Sequence, residues 1–497
     1  MAEPFKYEPK KASVYELEQA HVIDPPPWPN PRKTYPFAQA MKERLFSLDG
    51  LDTLVYLGKV WHVWDGRKFA RVPTDDDLRQ VYLYKKLETA YYEKTPDRNS
   101  NEVVKTEVNP DSAMLARVID PLKGLVMRRD GLDERHMWIQ DTGRGDLPKG
   151  GLLIPMANGI LDANTRKMYD HTPNLVATWV LPFDYDKEAA CPHWKKFVGG
   201  ILDEDKTGQT FLQEWIGYLI SGQTRAHKAV LVTGAPRSGK GVMASVIRAL
   251  MGEENTAATT LTSLGGRFGL ANLEGKNYAF ISDSRDSNMN AQATERLLSI
   301  IANDVMAVEP KGKDIVTRRL NVRLMIFSNN VPRFPDSGNA IGTRFICLDL
   351  PHSHVGKEDQ GLTERLLGEL PGILNWALDG LDRLRANGWK FTTLPGTHAG
   401  ILETVNEQAS PLTPYVRERL QFDPNAITAL KEVYNDYKEW CEEGNYKVST
   451  KGTFKERLKA LRLDGVKVLS RTKVPSYDKL VDAVRGAKLN PRSGAAW

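Results

Sequence analysis

The stretch AVLVTGAPRSGKGVMASVIRAL, residues 229–250, decides how the chain is read. Its opening residues, AVLVT, fit a strand buried on both faces, as in a parallel sheet. Gly234 to Lys240 then satisfy a GxxxxGK spacing, and the apolar run that follows fits a long helix. Glycines belong where backbone N–H groups must turn inward around phosphate oxygens, and a helix N-terminus adds partial positive charge. Lys240 would reach the β- and γ-phosphates. The candidate nucleotide-binding residues are therefore Gly234, Ala235, Pro236, Arg237, Ser238, Gly239, Lys240, Gly241 and Val242. Gly241 stands where the pattern ordinarily carries a Ser or Thr hydroxyl for magnesium.

Outward from this unit, apolar strands alternate with helices from about 228 to 350, the pattern of a parallel α/β sheet. NYAFISDSR (277–285) is an apolar strand running into Asp283. An acid at the carboxyl edge of a strand beside such a loop is where Mg2+ needs charge, so Asp283 is the candidate metal residue. The usual second acid is missing; Ser282 and Ser284 flank it. VRLMIFSNN (322–330) ends in Asn329 and Asn330, and an amide there would orient an attacking water. Arg344 precedes another apolar strand and is a candidate to act on a neighbour's γ-phosphate. In VEPKGKDI (308–315), Lys311 and Lys313 flank Gly312. That fits a loop tip that touches nucleic-acid phosphates, and equally a solvated turn.

The bulk properties restrict the class. At 497 residues the chain has room for two to four domains. The net charge of +5 permits a nucleic-acid partner without demanding one. The three cysteines, Cys191, Cys347 and Cys441, form no CxxC pair, which argues against a cysteine-rich zinc site and suits a reducing cytoplasm. No run approaches the ~18 apolar residues of a membrane span, and none near the N-terminus reads as a signal peptide.

The flanks divide as follows. Residues 1–44, with DPPPWPNP, read as an extended arm whose aromatic and proline residues would dock on a neighbour. Residues 45–204 read as an α+β domain. Within it, TLVYLGKVWHVWDGRKFARV forms a hairpin turning at Asp65 and Gly66, and MANGILDANTRKMYDHTP a second one. Residues 205–394 hold the loop and sheet, led by a helix with Phe211, Trp215, Tyr218 and Leu219 on one face. Residues 395–410 read as a linker. Residues 411–497 read as a small domain of helices followed by a β wing, a winged-helix-like unit. In it Ile427, Leu430, Val433 or Tyr434, Tyr437 and Cys441 share one helix face, while Lys451, Lys455, Lys459 and Arg462 lie largely away from the apolar face of the next helix.

Strand–P-loop, strand–acid, strand–Asn and then Arg-Phe, in this order, resembles a superfamily 3 helicase of the AAA+ class. The wording is similar to the phage and plasmid primase-helicase group that includes the poxvirus primase-helicase. The stretches that carry the resemblance are GAPRSGKG, TSLGGRFGLANLEGKNYAFISDSR, RLLSIIANDVMAVEPKGKD, RLMIFSNNVPRFPDSGNAIGTRF and PGILNWALDGLDRL, with ANGILDANTRKMYDHTP and PFDYDKEAACPHWKKFVGG upstream. It covers about residues 150–470, strongest over the sheet region.

The resemblance implies an ATP- and Mg2+-dependent DNA helicase that works as a hexameric ring on single-stranded and forked DNA. Lys240 would bind phosphate, Asp283 would carry the Walker B role, Asn330 or Asn329 would sense the γ-phosphate, and Arg344 would be the arginine finger of the adjacent subunit. Lys311 and Lys313 would sit in the hairpin that projects into the central channel and touches single-stranded DNA. The chain departs from the pattern at Gly241, at its single Walker B acid, and in carrying no primase half. A primase or polymerase would then be a separate partner, or not be used. Two other readings stay open: a replication initiator that recognises an origin, and a ring scaffold that binds nucleotide without turnover.

Overall fold

The computed structural model describes residues 26–490 apart from 96–101, 129–136, 141–146, 149–150, 283–289, 313–314, 333, 335–339, 357–358, 410, 445, 447 and 462. The expected sites Asp283 and Lys313 therefore lie outside the described residues, as does Arg462.

The N-terminal part is built on helix α1 (Thr34–Leu45), a three-stranded antiparallel meander of β1 (Leu54–Leu57), β2 (Val60–Trp64) and β3 (Phe69–Val72), and helix α2 (Ser112–Val126). Residues 34–44 are thus helical and not an extended arm. Phe37, Ala38 and Met41 fall on one face and are fully buried, and that burial outweighs the local proline signal upstream. The segment before α1 docks on its own chain. Trp28 N–H donates to Tyr91 O at 2.8 Å, the Trp28 ring lies 5.3 Å from that of Phe37, and Arg44 stacks over it at 4.9 Å. The hairpin expected at Asp65 and Gly66 is present, with a second, two-residue turn before it. Gly58 and Lys59 both adopt left-handed φ, of 56° and 62°, as a type I′ turn requires. Helix α2 starts where Asp111 accepts from Met114 N–H, and it buries Met114, Leu115, Val118, Ile119 and Leu122.

A second antiparallel unit, with β4 (Leu153–Met156) and β5 (Gly159–Asp162), leads into helices α3 (Pro192–Ile201) and α4 (Lys206–Ile220). The central sheet follows. Its strands are β6 (Ala229–Gly234), β7 (Thr256–Thr259), β8 (Tyr278–Ser282), β11 (Arg323–Ser328) and β12 (Phe345–Leu350). Between them come α5 (Lys240–Met251), α6 (Ala291–Ala302), the antiparallel ribbon β9 (Val305–Val308) with β10 (Val316–Arg319), and α7 (Ala340–Arg344). The five sheet strands are parallel, in the order β7-β8-β11-β6-β12. All six residues of β6 are buried because both faces are covered. Val230 and Val232 join a core with α4, α5 and α8 (Leu370–Ala386), while Ala229 and Leu231 join one with α6 and α9 (Thr397–Ala409).

Helix α9 replaces the linker expected at 395–410. Gly396 and Gly400 gave the stretch a linker composition, but Ile401, Leu402 and Val405 share a face, and Val405 is fully buried under the sheet. Helices α4 and α8 pack backbone to backbone through glycines. A Cβ on Gly217 would lie 2.5 Å from Ala377 O, and one on Gly380 2.4 Å from Gln213 C.

The C-terminal part runs α10 (Leu412–Arg419), β13 (Leu420–Ala429), α11 (Leu430–Glu443), α12 (Lys451–Ala460), β14 (Lys467–Thr472) and β15 (Val481–Leu489). The strands form one antiparallel sheet in the order β13-β15-β14. Leu430, Val433, Tyr437 and Cys441 are buried together as their spacing predicts, with Trp440 added; Ile427 belongs to β13 rather than to the helix. On α12, Lys455 pairs with Asp482 at 2.6 Å and Lys459 with Glu456 at 2.9 Å, and Lys451 is exposed. Among the described residues no helix is long and apolar enough to cross a membrane.

Candidate functional site

The site begins where β6 ends, at the sheet's carboxyl edge between β11 and β12. Gly234 has φ 155°, and a Cβ there would lie 2.6 Å from Leu350 O and 2.8 Å from Ser238 Oγ. The chain then turns through Arg237 at φ 61° and Gly239 at φ 94°, and α5 starts at Lys240. A side chain on Gly239 would also meet Ile201 Cγ2 at 2.8 Å, so α3 presses on the loop from outside. Only glycine satisfies both positions. The first-turn amides of α5 have no acceptor within their own helix and form a ready anion site.

Lys240 reaches back over this loop. Its Nζ donates to Gly234 O at 2.6 Å, to Ala235 O at 2.8 Å and to Ser238 Oγ at 3.1 Å. A phosphate entering the loop would take over such contacts from the ammonium. Gly241 is exposed, with nothing within 4 Å of where its Cβ would stand. The segment after β12 braces the loop: Ser353 Oγ donates to Pro236 O at 2.7 Å, and His354 N–H to Arg237 O at 3.0 Å.

The neighbouring strands end beside the loop. Thr233 is aligned with Ser328 of β11 on one side and with Asp349 of β12 on the other. Asn329 and Asn330 follow Ser328 directly and are exposed at this edge; Asn330 N–H donates to Ser328 Oγ at 3.3 Å. Strand β8 lies one strand further out and ends at Ser282, aligned with Phe327. The expected acid Asp283 comes next in sequence. Among the described residues no cluster of three or more His, Cys, Asp or Glu side chains forms a metal site.

A polar chain that sequence reasoning missed runs away from the loop. Thr233 Oγ1 donates to Asp349 Oδ1 at 3.2 Å, and Asp349 N–H donates to His398 Nδ1 at 2.9 Å. His398 is 7% exposed, and its Nε2 lies 3.1 Å from Asp205 Oδ2. Because Nδ1 accepts, the proton of neutral His398 sits on Nε2 and points to Asp205. Asp205 in turn caps α4, accepting from Thr207 and Gly208 N–H. The sequence signal for Asp349 was the same as for Asp283, an acid near the carboxyl end of an apolar strand. His398 carried no signal, because it is distant in sequence.

Arg344 is not brought to this loop. It ends α7, directly before Phe345, which pairs with Ala229 at the opposite edge of the sheet. There Lys228 Nζ donates to Thr343 O, and burial, together with the nearby Arg344 charge, lowers the Lys228 pKa. Lys311 is exposed at the tip of the β9–β10 ribbon, beside Gly312 at φ 73°. Behind the tip, Glu309 is bound by Arg267 at 2.6 Å.

Three family profiles match this chain. One described as D5 N terminal like matches residues 38–203, a family of unknown function (DUF5906) matches 232–344, and one described as Poxvirus D5 protein-like matches 407–479. Among solved structures, the A form of the apo C-terminal region of NrS-1 is 18% identical, with a TM-score of 0.39, over 62% of this chain and 72% of that one. Another apo structure of the same region is 16% identical, with a TM-score of 0.39, over 61% of this chain and 75% of that one.

Proposed function

We propose, from the matches of its flanking parts to profiles described as D5 N terminal like and Poxvirus D5 protein-like, that this chain is a primase-helicase-like replication protein and a ring-forming AAA+ motor of superfamily 3. In this reading it hydrolyses ATP and translocates on single-stranded DNA. The observation that supports the reading is the loop from Gly234 to Lys240, which turns through left-handed φ at Arg237 and Gly239 at the sheet's carboxyl edge, with Lys240 folded back over it. In open α/β sheets that edge is where ligands bind. The fit is chemical as well as positional: two glycines that exclude side chains, a helix N-terminus, and a lysine.

Lys240 and the loop amides would hold the β- and γ-phosphates. Asn330 would orient the attacking water, and the Thr233–Asp349–His398–Asp205 chain would fix the strand end from which the loop springs. Magnesium, when bound, supplies charge neutralisation at the phosphate oxygens; Asp283 and the hard oxygen donors around the loop are of the type it takes. Arg344 would act on the next subunit's nucleotide, which suits its position at the far edge from its own loop. Lys311 and Lys313 would grip the DNA backbone without reading sequence. The C-terminal helix–strand–helix–helix–strand–strand order would suit a winged helix, a second candidate DNA or partner contact.

ATP-dependent unwinding of a forked duplex by the purified chain tests this reading. It should be lost in Lys240→Ala and strongly reduced when Lys311 and Lys313 are both changed to Ala. One observation favours a second reading, a ring that binds nucleotide without turnover: Gly241 gives the first turn of α5 no hydroxyl. Nucleotide binding without ADP release would select it.

A further inference from the structure

His398 is the second residue of α9, is 7% exposed, and engages both of its ring nitrogens. Nδ1 accepts from Asp349 N–H at 2.9 Å, and Nε2–H points to Asp205 Oδ2 at 3.1 Å. These partners belong to the two elements that press on the Lys240 loop. Asp349 is aligned with Thr233, the residue before Gly234, and leads into the segment that braces Pro236 and Arg237. Asp205 closes the turn between α3 and α4, and α3 carries the Ile201 that confines Gly239. One imidazole therefore ties both elements together at the root of the loop.

The turn it holds is strained. Asp203 and Glu204 both adopt left-handed φ, of 51° and 56°, a conformation that the surroundings must stabilise. A second bridge reaches the same turn, with His352 Nε2 2.9 Å from Asp203 Oδ1. Those two side chains are exposed, and water and salt weaken such pairs. His398 is shielded, so its bonds are the stronger tie. Helix α9 does not need them for its own docking. Val405 is buried in one core with Ile341 and Phe345, and Ile401 and Leu402 pack against that core. What the imidazole adds to this apolar anchor is direction.

We infer, taking the loop as the ATP site, that His398 is a positioning residue for it. Its Nδ1 holds Asp349, whose carboxylate accepts from Thr233 Oγ1 at 3.2 Å, and so fixes the direction in which Gly234 leaves β6. The bond to Asp205 orients the ring and keeps the proton on Nε2, which leaves Nδ1 free to accept. His398 touches no phosphate; it sets how tightly the loop holds one.

The test titrates the full chain with mant-ATP, beside Lys240→Ala, below the melting transition of every variant. Each titration returns a Kd and a number of sites. His398→Ala should raise Kd tenfold or more with the number of sites unchanged. His398→Asn, which keeps an acceptor where Nδ1 stood, should return to within threefold of the parent. His398→Gln, which keeps a donor only where Nε2 stood, should stay with His398→Ala. Thr233→Val removes the hydroxyl at the far end of the chain of bonds and should raise Kd at least threefold. A merely structural role would lower the number of sites and leave Kd alone, and that result overturns the assignment. So does a Kd within twofold of the parent for both His398→Ala and Thr233→Val, or equal rescue by Asn and Gln. The comparison of Asn with Gln decides the matter even where the Ala chain fails to fold. Absent or Lys240-independent binding by the parent is a separate failure, of the loop as the ATP site, and takes the assignment with it.

Discussion

Arg344 and Lys240 stand at opposite edges of one sheet: Arg344 precedes Phe345, which pairs with the first residue of β6, and Lys240 follows the loop that leaves its last. The strand between them alone spans roughly 17 Å at 3.3 Å per residue. An Arg344 that serves hydrolysis must therefore serve it in a neighbouring subunit. Arg344→Ala should leave nucleotide affinity within about threefold while lowering turnover on the order of a thousandfold. Titration with a fluorescent nucleotide and a steady-state ATPase assay separate the two effects. Mixing Arg344→Ala with Lys240→Ala chains should restore part of the activity, because some interfaces then carry both residues.

The glycines of the loop make opposite predictions. Gly239→Ala puts a Cβ 2.8 Å from Ile201 Cγ2 at φ 94°, a strain on the order of 1–3 kcal/mol, and it should abolish nucleotide binding. Gly241→Ser adds a side chain into open space and should leave turnover within about tenfold, on the order of 1 kcal/mol. If Gly241→Ser created activity in a chain that otherwise had none, the wild-type loop would be a binding pocket only.

Buried His62 sets a pH dependence. Burial, then the charges of Arg71 and Arg318, hold its pKa down to about 4, against the partial opposition of a backbone contact at Val60. The unfolded chain protonates this imidazole near pH 6.5, while the folded chain does so only near 4. Stability from this group is complete above pH 6.5 and falls as pH drops to 4, by on the order of 3 kcal/mol. Urea unfolding at several pH values should show that loss in the wild type. The His62→Leu chain should show a smaller slope across the same window.

Two helical glycines carry opposite signs for stability. Gly380→Ala drives a Cβ into the Gln213 backbone at 2.4 Å and should lower stability by about 1–3 kcal/mol or more. Gly400 sits within α9, where a Cβ meets nothing within 4 Å, and Gly400→Ala should raise stability by about 0.5–1 kcal/mol. Thermal melts of the two variants beside the parent chain settle both signs.

Local signals were read correctly where one element carried the whole pattern. The buried strand β6, its glycine turn and the apolar face of α4 are each specified within about 20 residues, and each stands where its periodicity puts it. The errors are non-local. Helix α9 has a linker's composition, and Val405 becomes decisive only because the sheet covers it. Trp28 belongs to a proline-rich run that reads as extended, yet Arg44 and Phe37 hold it. The link from Asp349 through His398 to Asp205 joins residues distant in sequence, which no spacing rule connects.

The central claim is that the loop from Gly234 to Lys240 runs a DNA-coupled ATPase. Steady-state ADP release by the purified chain, with and without a single-stranded oligonucleotide and beside Lys240→Ala, tests it most directly. The account predicts turnover that rises severalfold with the oligonucleotide and falls to background in Lys240→Ala. Equal rates in the two chains, or nucleotide binding with no ADP release in either, would contradict it.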